Sequence, residues 1–195
     1  MLRGPIGFVL AVFLLGAAPA FSASEEYEID EEHFSVAFLV QHAGFYDQAG
    51  LFTEGEGSFT FDEEALTVGD IEIEIESESV FTGHKKRDRH LRSGDFLSVK
   101  EFPKITFVGT GSKKTGPKTG EITGDLTLRG VTKPVTLLVE WVSAGPYMFD
   151  SRQYRVGINA RATFKRSDFG MTYMVEQNGV GDQVTLILGF EAIRQ

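Results

Sequence analysis

The chain has 195 residues, 28 aspartates and glutamates against 19 lysines and arginines, a formal charge of −9, and no cysteine. That length predicts one domain with a core of useful size. The acidic balance speaks against nucleic acid as a partner, because phosphate contacts need a basic face, and against adhesion by charge to an anionic membrane. Without cysteine there is neither a disulfide framework nor a lipoprotein acylation site.

The first segment reads as a targeting leader. Met1-Leu2-Arg3 is a small basic start, and Ile6 to Ala18 is apolar apart from Gly7 and Gly16. Ala18-Pro19-Ala20 fits a signal-peptidase site, which predicts a cleaved signal peptide over residues 1–23 and export to the periplasm. An uncleaved anchor is the alternative, but the apolar run is shorter than the roughly 20 residues a span needs. The remaining chain, 24–195, is expected to form one domain, with no stable membrane insertion once the leader is gone.

From there the sequence alternates with period two. Phe34, Val36, Phe38 and Val40 alternate with Ser35, Ala37, Leu39 and Gln41. Residues 57–61 come next, and then Ile71, Ile73 and Ile75 alternate with Glu72, Glu74 and Glu76, the pattern of a strand with one wet face. A charged segment near 84–98 interrupts the alternation and predicts a short helix. Residues 105–110 resume it. Leu126 and Leu128 form the next face, followed by Val135, Leu137, Val139 and Trp141, then Val156, Ile158, Ala160 and Ala162, then Val184, Leu186, Leu188 and Phe190. Turns are read at Gly111 to Gly120 with Pro117, at Ser143 to Pro146, and from Asn178-Gly179 through Gly181-Asp182. About eight antiparallel strands with one polar face suit a sandwich and a barrel equally.

Catalytic apparatus is not visible. His33 and His42 are nine residues apart and point to opposite faces of a continuous strand. His84 and His90 are six apart, about 120° from each other around a helix. Neither pair has metal-ligand spacing, and no Gly-x-Ser-x-Gly or His-Glu-x-x-His occurs. The expectation is a protein that is not an enzyme, with no metal and no cofactor.

Other polar groups admit two readings each. His42 ends the Val36-Phe38-Val40 face, where it meets a ligand's head group or bonds a loop carbonyl. Arg87, Asp88, His90, Arg92 and Asp95 form either a head-group clamp, since arginine presents planar donors that suit phosphate, or an architectural pin in which the aspartates pair with the arginines. We take the pin as the expectation. Lys113, Lys114 and Lys118 read as the solvated tip of a hairpin. Phe169, Met171, Tyr173, Met174 and Val175 read equally as a lid over a cavity or a plug in a barrel end.

Four stretches carry a resemblance. They are Thr82-Gly83-His84 with Arg87-Asp88, His90-Leu91-Arg92-Ser93 and Asp95-Phe96; His33 to His42 with Gly44, preceded by Tyr27, Ile29 and Asp30; Gly124-Asp125-Leu126-Thr127-Leu128-Arg129-Gly130 through Val135; and Lys165-Arg166-Ser167-Asp168-Phe169-Gly170. In this order they resemble the YceI-like family of secreted polyisoprenoid-binding proteins, from Tyr27 to about Glu191. The resemblance implies an all-β fold, an extended antiparallel lipocalin-like barrel with a helical segment beside it. It also implies binding, transport or storage of a polyisoprenoid lipid such as a prenyl quinone or a prenyl pyrophosphate, and it allows a homodimer. Phe34 departs from the serine many members carry, and the 111–120 hairpin is unusually basic.

A barrel of about eight strands is either filled by side chains or holds one small ligand. The residues expected on the inward face are apolar: Phe38, Val40, Phe59, Phe61, Ile73, Ile75, Leu126, Leu128, Leu137, Val139, Trp141, Ile158, Ala160, Leu186 and Leu188. His42, Arg87 and Arg92 are the candidate head-group contacts. Burying a CH₂ is worth about 0.8 kcal/mol, so an isoprene unit contributes about 4 kcal/mol before ordering costs. Two or three units reach micromolar affinity. The alternative from another class is a stress-related structural or interaction protein whose barrel is filled and carries no lipid.

Overall fold

The computed structural model describes residues 24–195; the leader read over residues 1–23 lies outside the described residues. The strands are β1 (Glu25–His42), β2 (Tyr46–Phe52), β3 (Gly55–Asp62), β4 (Thr67–Glu76), β5 (Val80–Phe81), β6 (Lys104–Lys114), β7 (Thr119–Leu128), β8 (Val131–Tyr147), β9 (Asp150–Lys165) and β10 (Val180–Arg194). Among the described residues one α-helix, α1 (Lys85–Leu91), lies between β5 and β6.

Eight strands close into an antiparallel barrel in the order β1-β3-β4-β6-β7-β8-β9-β10, and β10 returns to β1. The barrel is elongated because β1 serves two neighbours along its length. Glu25 to Glu28 ladder against Phe61 to Ser58 of β3, whereas Val36 to His42 ladder against Phe52 to Tyr46 of β2. The short β5 adds to the outer edge of β2 and leads into α1, so the helix sits beside the end of the barrel where β1 finishes. We call that end the helix end and the opposite one the Tyr27 end. Among the described residues no helix is long and apolar enough to cross a membrane.

The period-two pattern explains the walls. On β4, Ile71 and Ile73 are buried while Glu72 is exposed, and Glu74 and Glu76 meet Lys104 on the outside. Every apolar residue expected on the inward face lies in the core or packs against it.

Several boundaries differ from expectation. The helix occupies Lys85–Leu91 rather than 84–98; His84 caps it, with its ring Nδ1 accepting from the Arg87 N–H at 3.3 Å. The turn read over 111–120 is mostly ladder, because β6 runs to Lys114 and β7 begins at Thr119. Ser143 to Pro146 is strand, not turn. Ladder pairing of β8 with β7 ends at Glu140, so beyond it β8 has an open edge, and a proline lacking an N–H is tolerated there. β2 was not expected at all.

A polar cluster lies at the Tyr27 end. Tyr27 is fully buried and stacks on Phe59 with ring centres 5.5 Å apart. Its hydroxyl donates to Glu63 Oε1 at 2.9 Å, and the Tyr154 hydroxyl donates to Oε2 of the same carboxylate at 3.0 Å. Nearby, the Arg155 guanidinium bridges Asp30 and Glu191, tying β9 to β1 and β10. Burial alone would raise the Asp30 carboxyl, but bonds from His33, Arg155 and the Glu32 N–H outweigh it and hold the group below its ordinary value.

Burial, then donation to Glu63, raises the Tyr27 phenol well above its ordinary value of 10.0. A raised folded-state value stabilises the fold fully below the unfolded phenol value of about 10 and loses that contribution as pH rises toward the folded value. The expected result is a denaturant midpoint that falls steeply above pH ~10 and a shallower fall in Tyr27→Phe. Identical alkaline profiles for the two proteins would contradict this.

Candidate functional site: a divided apolar interior

The barrel interior holds two cavities. The larger, about 440 Å³, occupies the helix end. Its wall includes Val36, Phe38, Val40, Phe52, Ile75, Ile105, Leu126, Leu128, Val184 and Leu186. The smaller, about 100 Å³, occupies the Tyr27 end and is walled by Phe59, Phe61, Ile73, Leu137, Val139, Trp141, Ile158, Ala160, Leu188 and Phe190, among others. Phe34, Phe107, Val135 and Ala162 are buried yet line neither cavity; on β6 and β9, Phe107 and Ala162 lie between residues of the two walls. The Phe34 and Phe107 rings fill space that glycines leave open. Phe107 lies 2.3 Å from where a Cβ of Gly124 would stand, and Phe34 lies 2.5 Å from that of Gly55.

The expected inward residues therefore divide. Phe38, Val40, Ile75, Leu126, Leu128 and Leu186 wall the larger cavity; Phe59, Phe61, Ile73, Leu137, Val139, Trp141, Ile158, Ala160 and Leu188 wall the smaller. One continuous wall is not what the fold builds.

The larger cavity has a polar rim of Gln41, His42, Gln48, Thr82, Arg87 and His90. Two of the three expected head-group contacts are on it. The His42 ring makes no hydrogen bond among the described residues, so the loop-carbonyl reading finds no partner there, and it stands 5.7 Å from the Tyr46 ring. Arg87 donates to the hydroxyl and the carbonyl of Thr82 at 2.7 and 2.9 Å. Arg92 is a correction: it lines neither cavity, and its guanidinium donates to the carbonyls of Glu78 and Val80 at 2.7 and 2.9 Å.

The helix is pinned, but by other partners than expected. Asp88 is buried and accepts from the Thr82 N–H and hydroxyl at 2.8 and 2.5 Å rather than from an arginine. Asp95 pairs with His90 at 2.9 Å. His90 packs edge-on against Phe96 and Tyr173, both with ring centres 5.0 Å away.

The segment after β9 is a lid. Met171, Tyr173, Met174 and Gly179 line the larger cavity, which stays unfilled beneath them. Arg166 holds the lid down. It is 2% exposed and donates to four carbonyls: Met171 at 2.6 Å, Gly181 at 2.7 Å, Val180 at 2.7 Å and Tyr173 at 2.8 Å. Burial lowers its hold on its proton, with the nearby Asp182 charge opposing. No carboxylate meets it directly among the described residues, so a positive charge lies in the cavity wall. The sequence gives this arginine only as one member of the Lys165 to Gly170 stretch, because the four carbonyls it serves are fixed by lid geometry, not by residue type.

Comparison with known proteins gives the family. A YceI-like domain model matches residues 27–192. Protein YceI of Salmonella arizonae is 39% identical over 197 aligned residues, covering 100% of both chains. Among solved structures, a Campylobacter jejuni YceI protein is similar with a TM-score of 0.72, 26% identity, and coverage of 80% of this chain and 90% of that one. Burkholderia cenocepacia BcnA, at 20% identity and a TM-score of 0.73, shares the fold over 84% of this chain and 98% of its own. A polyisoprenoid binding domain from Saccharophagus degradans, at 14% identity and a TM-score of 0.64, shares it over 89% and 100%. On the matched domain and the full-length relative, the chain belongs to the YceI-like family.

Proposed function

We propose that the protein is an exported carrier of a polyisoprenoid lipid, holding the prenyl tail in the larger cavity beneath the Arg166 lid. The observation that carries the reading is about 440 Å³ of unfilled apolar space inside the barrel, within the roughly 300–1,000 Å³ typical of ligand pockets. That space weighs against the filled-barrel alternative. The reading draws support from the family and from the Saccharophagus degradans domain, described as polyisoprenoid binding.

The tail supplies affinity and the rim supplies orientation. Each isoprene unit buried contributes about 4 kcal/mol at about 0.8 kcal/mol per CH₂, whereas an exposed charge at the rim adds about 0.2–1 kcal/mol. Arg87 and Arg166 bond carbonyls rather than carboxylates, so their charge favours a head rich in acceptor oxygen. A prenyl quinone and a prenyl pyrophosphate both qualify. Residues 1–23, read from their sequence as an export leader, support carriage in the periplasm, and the reading assigns the protein no catalytic step.

Organic-solvent extraction of the purified protein followed by mass spectrometry tests this. The expected result is a prenyl species in the extract, near one per chain. An extract free of prenyl species, from protein purified without detergent, would overturn the reading.

A further inference from the structure

The smaller cavity has a mouth of a different kind. Lys113 and Lys114 end β6, Lys118 precedes β7, and Glu121 lies on β7; all four line this mouth. Three lysines against one glutamate leave two positive charges, in a chain whose net charge is −9. In sequence they read as a hairpin's solvated tip, but the β6–β7 hairpin folds so that its tip stands over the barrel end. Among the described residues Lys113 and Lys114 enter no ion pair. Glu121 stands opposite Lys113 in the ladder without closing on it. Lys118 donates to the Val142 carbonyl at 3.0 Å and lies 5.6 Å from the centre of the Trp141 ring, which puts the indole directly under the mouth.

A second observation comes from the wall. The Trp141 Nε1–H is buried and has no hydrogen-bond partner among the described residues. A buried donor left unmet is unfavourable, and native structures seldom keep one without a reason. Trp141 lines the chamber, so an acceptor seated there that displaces the groups covering Nε1 would satisfy it. The mouth is cationic, and the chamber below it, among Phe61, Leu137 and Val139, is apolar.

We infer that the Tyr27 end is a second binding site, for a small anionic amphiphile. A carboxylate or phosphate head sits in the field of Lys113 and Lys114 and accepts from Trp141, and a short apolar chain enters the chamber of about 100 Å³. This chamber and the larger cavity share no lining residue, so the inference does not rest on the prenyl reading.

Trp141 is the single tryptophan of the chain, so its fluorescence reports on the site directly. Octanoate, octyl phosphate and octanol are titrated into the purified protein at low salt. The two anions are expected to shift the emission saturably and to bind about tenfold more tightly than octanol, the margin narrowing as salt is added. Whichever anion binds tighter names the head. Lys113→Gln with Lys114→Gln should weaken both anions about fivefold to tenfold and leave octanol unchanged, whereas Glu121→Gln should tighten the anions. Calorimetry on Trp141→Phe should show about tenfold weaker anion binding, the loss of one hydrogen bond to a charged group. No emission change at millimolar anion, equal binding of octanol and octanoate, or an unaltered lysine double variant would each overturn the site. Prenyl content of the same preparations, measured by extraction, is independent of these outcomes.

Discussion

Arg166→Met is expected to lower the unfolding free energy by about 3–5 kcal/mol. The guanidinium spans four carbonyls on both sides of the lid, from Met171 to Gly181. Methionine matches its apolar volume but leaves those acceptors without a charged donor. Arg166→Lys should recover only part of the loss, because an ammonium cannot reproduce a planar fork that reaches several acceptors at once. The control is Arg152→Met, whose side chain is 88% exposed and pairs only with Asp150; it should change stability by less than about 1 kcal/mol. Denaturant unfolding of the three variants decides the matter. An Arg166→Met midpoint equal to that of Arg152→Met would contradict the pinned lid.

Filling the larger cavity should separate stability from ligand content. Val184 and Leu186 are neighbours on one face of β10 and both line that cavity. Val184→Phe with Leu186→Trp adds apolar bulk to space that is already unfilled, so folding is expected to be as favourable as before or better. Each isoprene unit excluded costs the ligand about 4 kcal/mol, close to a thousandfold in affinity. Prenyl content should fall to less than about a tenth while the melting temperature holds. Leu138→Trp, on the outer face of β8 where the side chain is 59% exposed, should leave both unchanged. A folded double variant with wild-type prenyl content would show that the ligand lies elsewhere.

How far the fold could be read from the chain depended on what filled the inward positions. Where they are apolar, as with Ile71 and Ile73 or Leu126 and Leu128, alternation gives both the strand and its buried face. β2 escaped because its inward Gly50 carries no side chain; the Phe38 ring of β1 fills the place, 2.2 Å from where a Cβ would stand. The extension of β8 through Gly145 and Pro146 escaped for a related reason. Turn-forming residues there occupy a ladder with an open edge, which the chain alone does not reveal.

The site was legible to a different degree. The apolar wall followed from alternation, but its division into two cavities did not, since Phe34 and Phe107 look like any other inward residue until their neighbours prove to be glycines. Charged groups were hardest. Arg87, Arg92 and Arg166 all bond backbone carbonyls, and carbonyls are the same at every position in a sequence. Expecting aspartates as the partners of Arg87 and Arg92 was reasonable chemistry, but the fold made other pairings.

The central claim is that the larger cavity holds a prenyl tail, and native mass spectrometry of delipidated protein tests it most directly. With a prenyl quinone or a prenyl pyrophosphate added, the wild type is expected to gain the mass of one ligand per chain, and Val184→Phe with Leu186→Trp to gain none. A wild type that gains no prenyl mass, or a filled variant that gains as much as the wild type, would contradict the account.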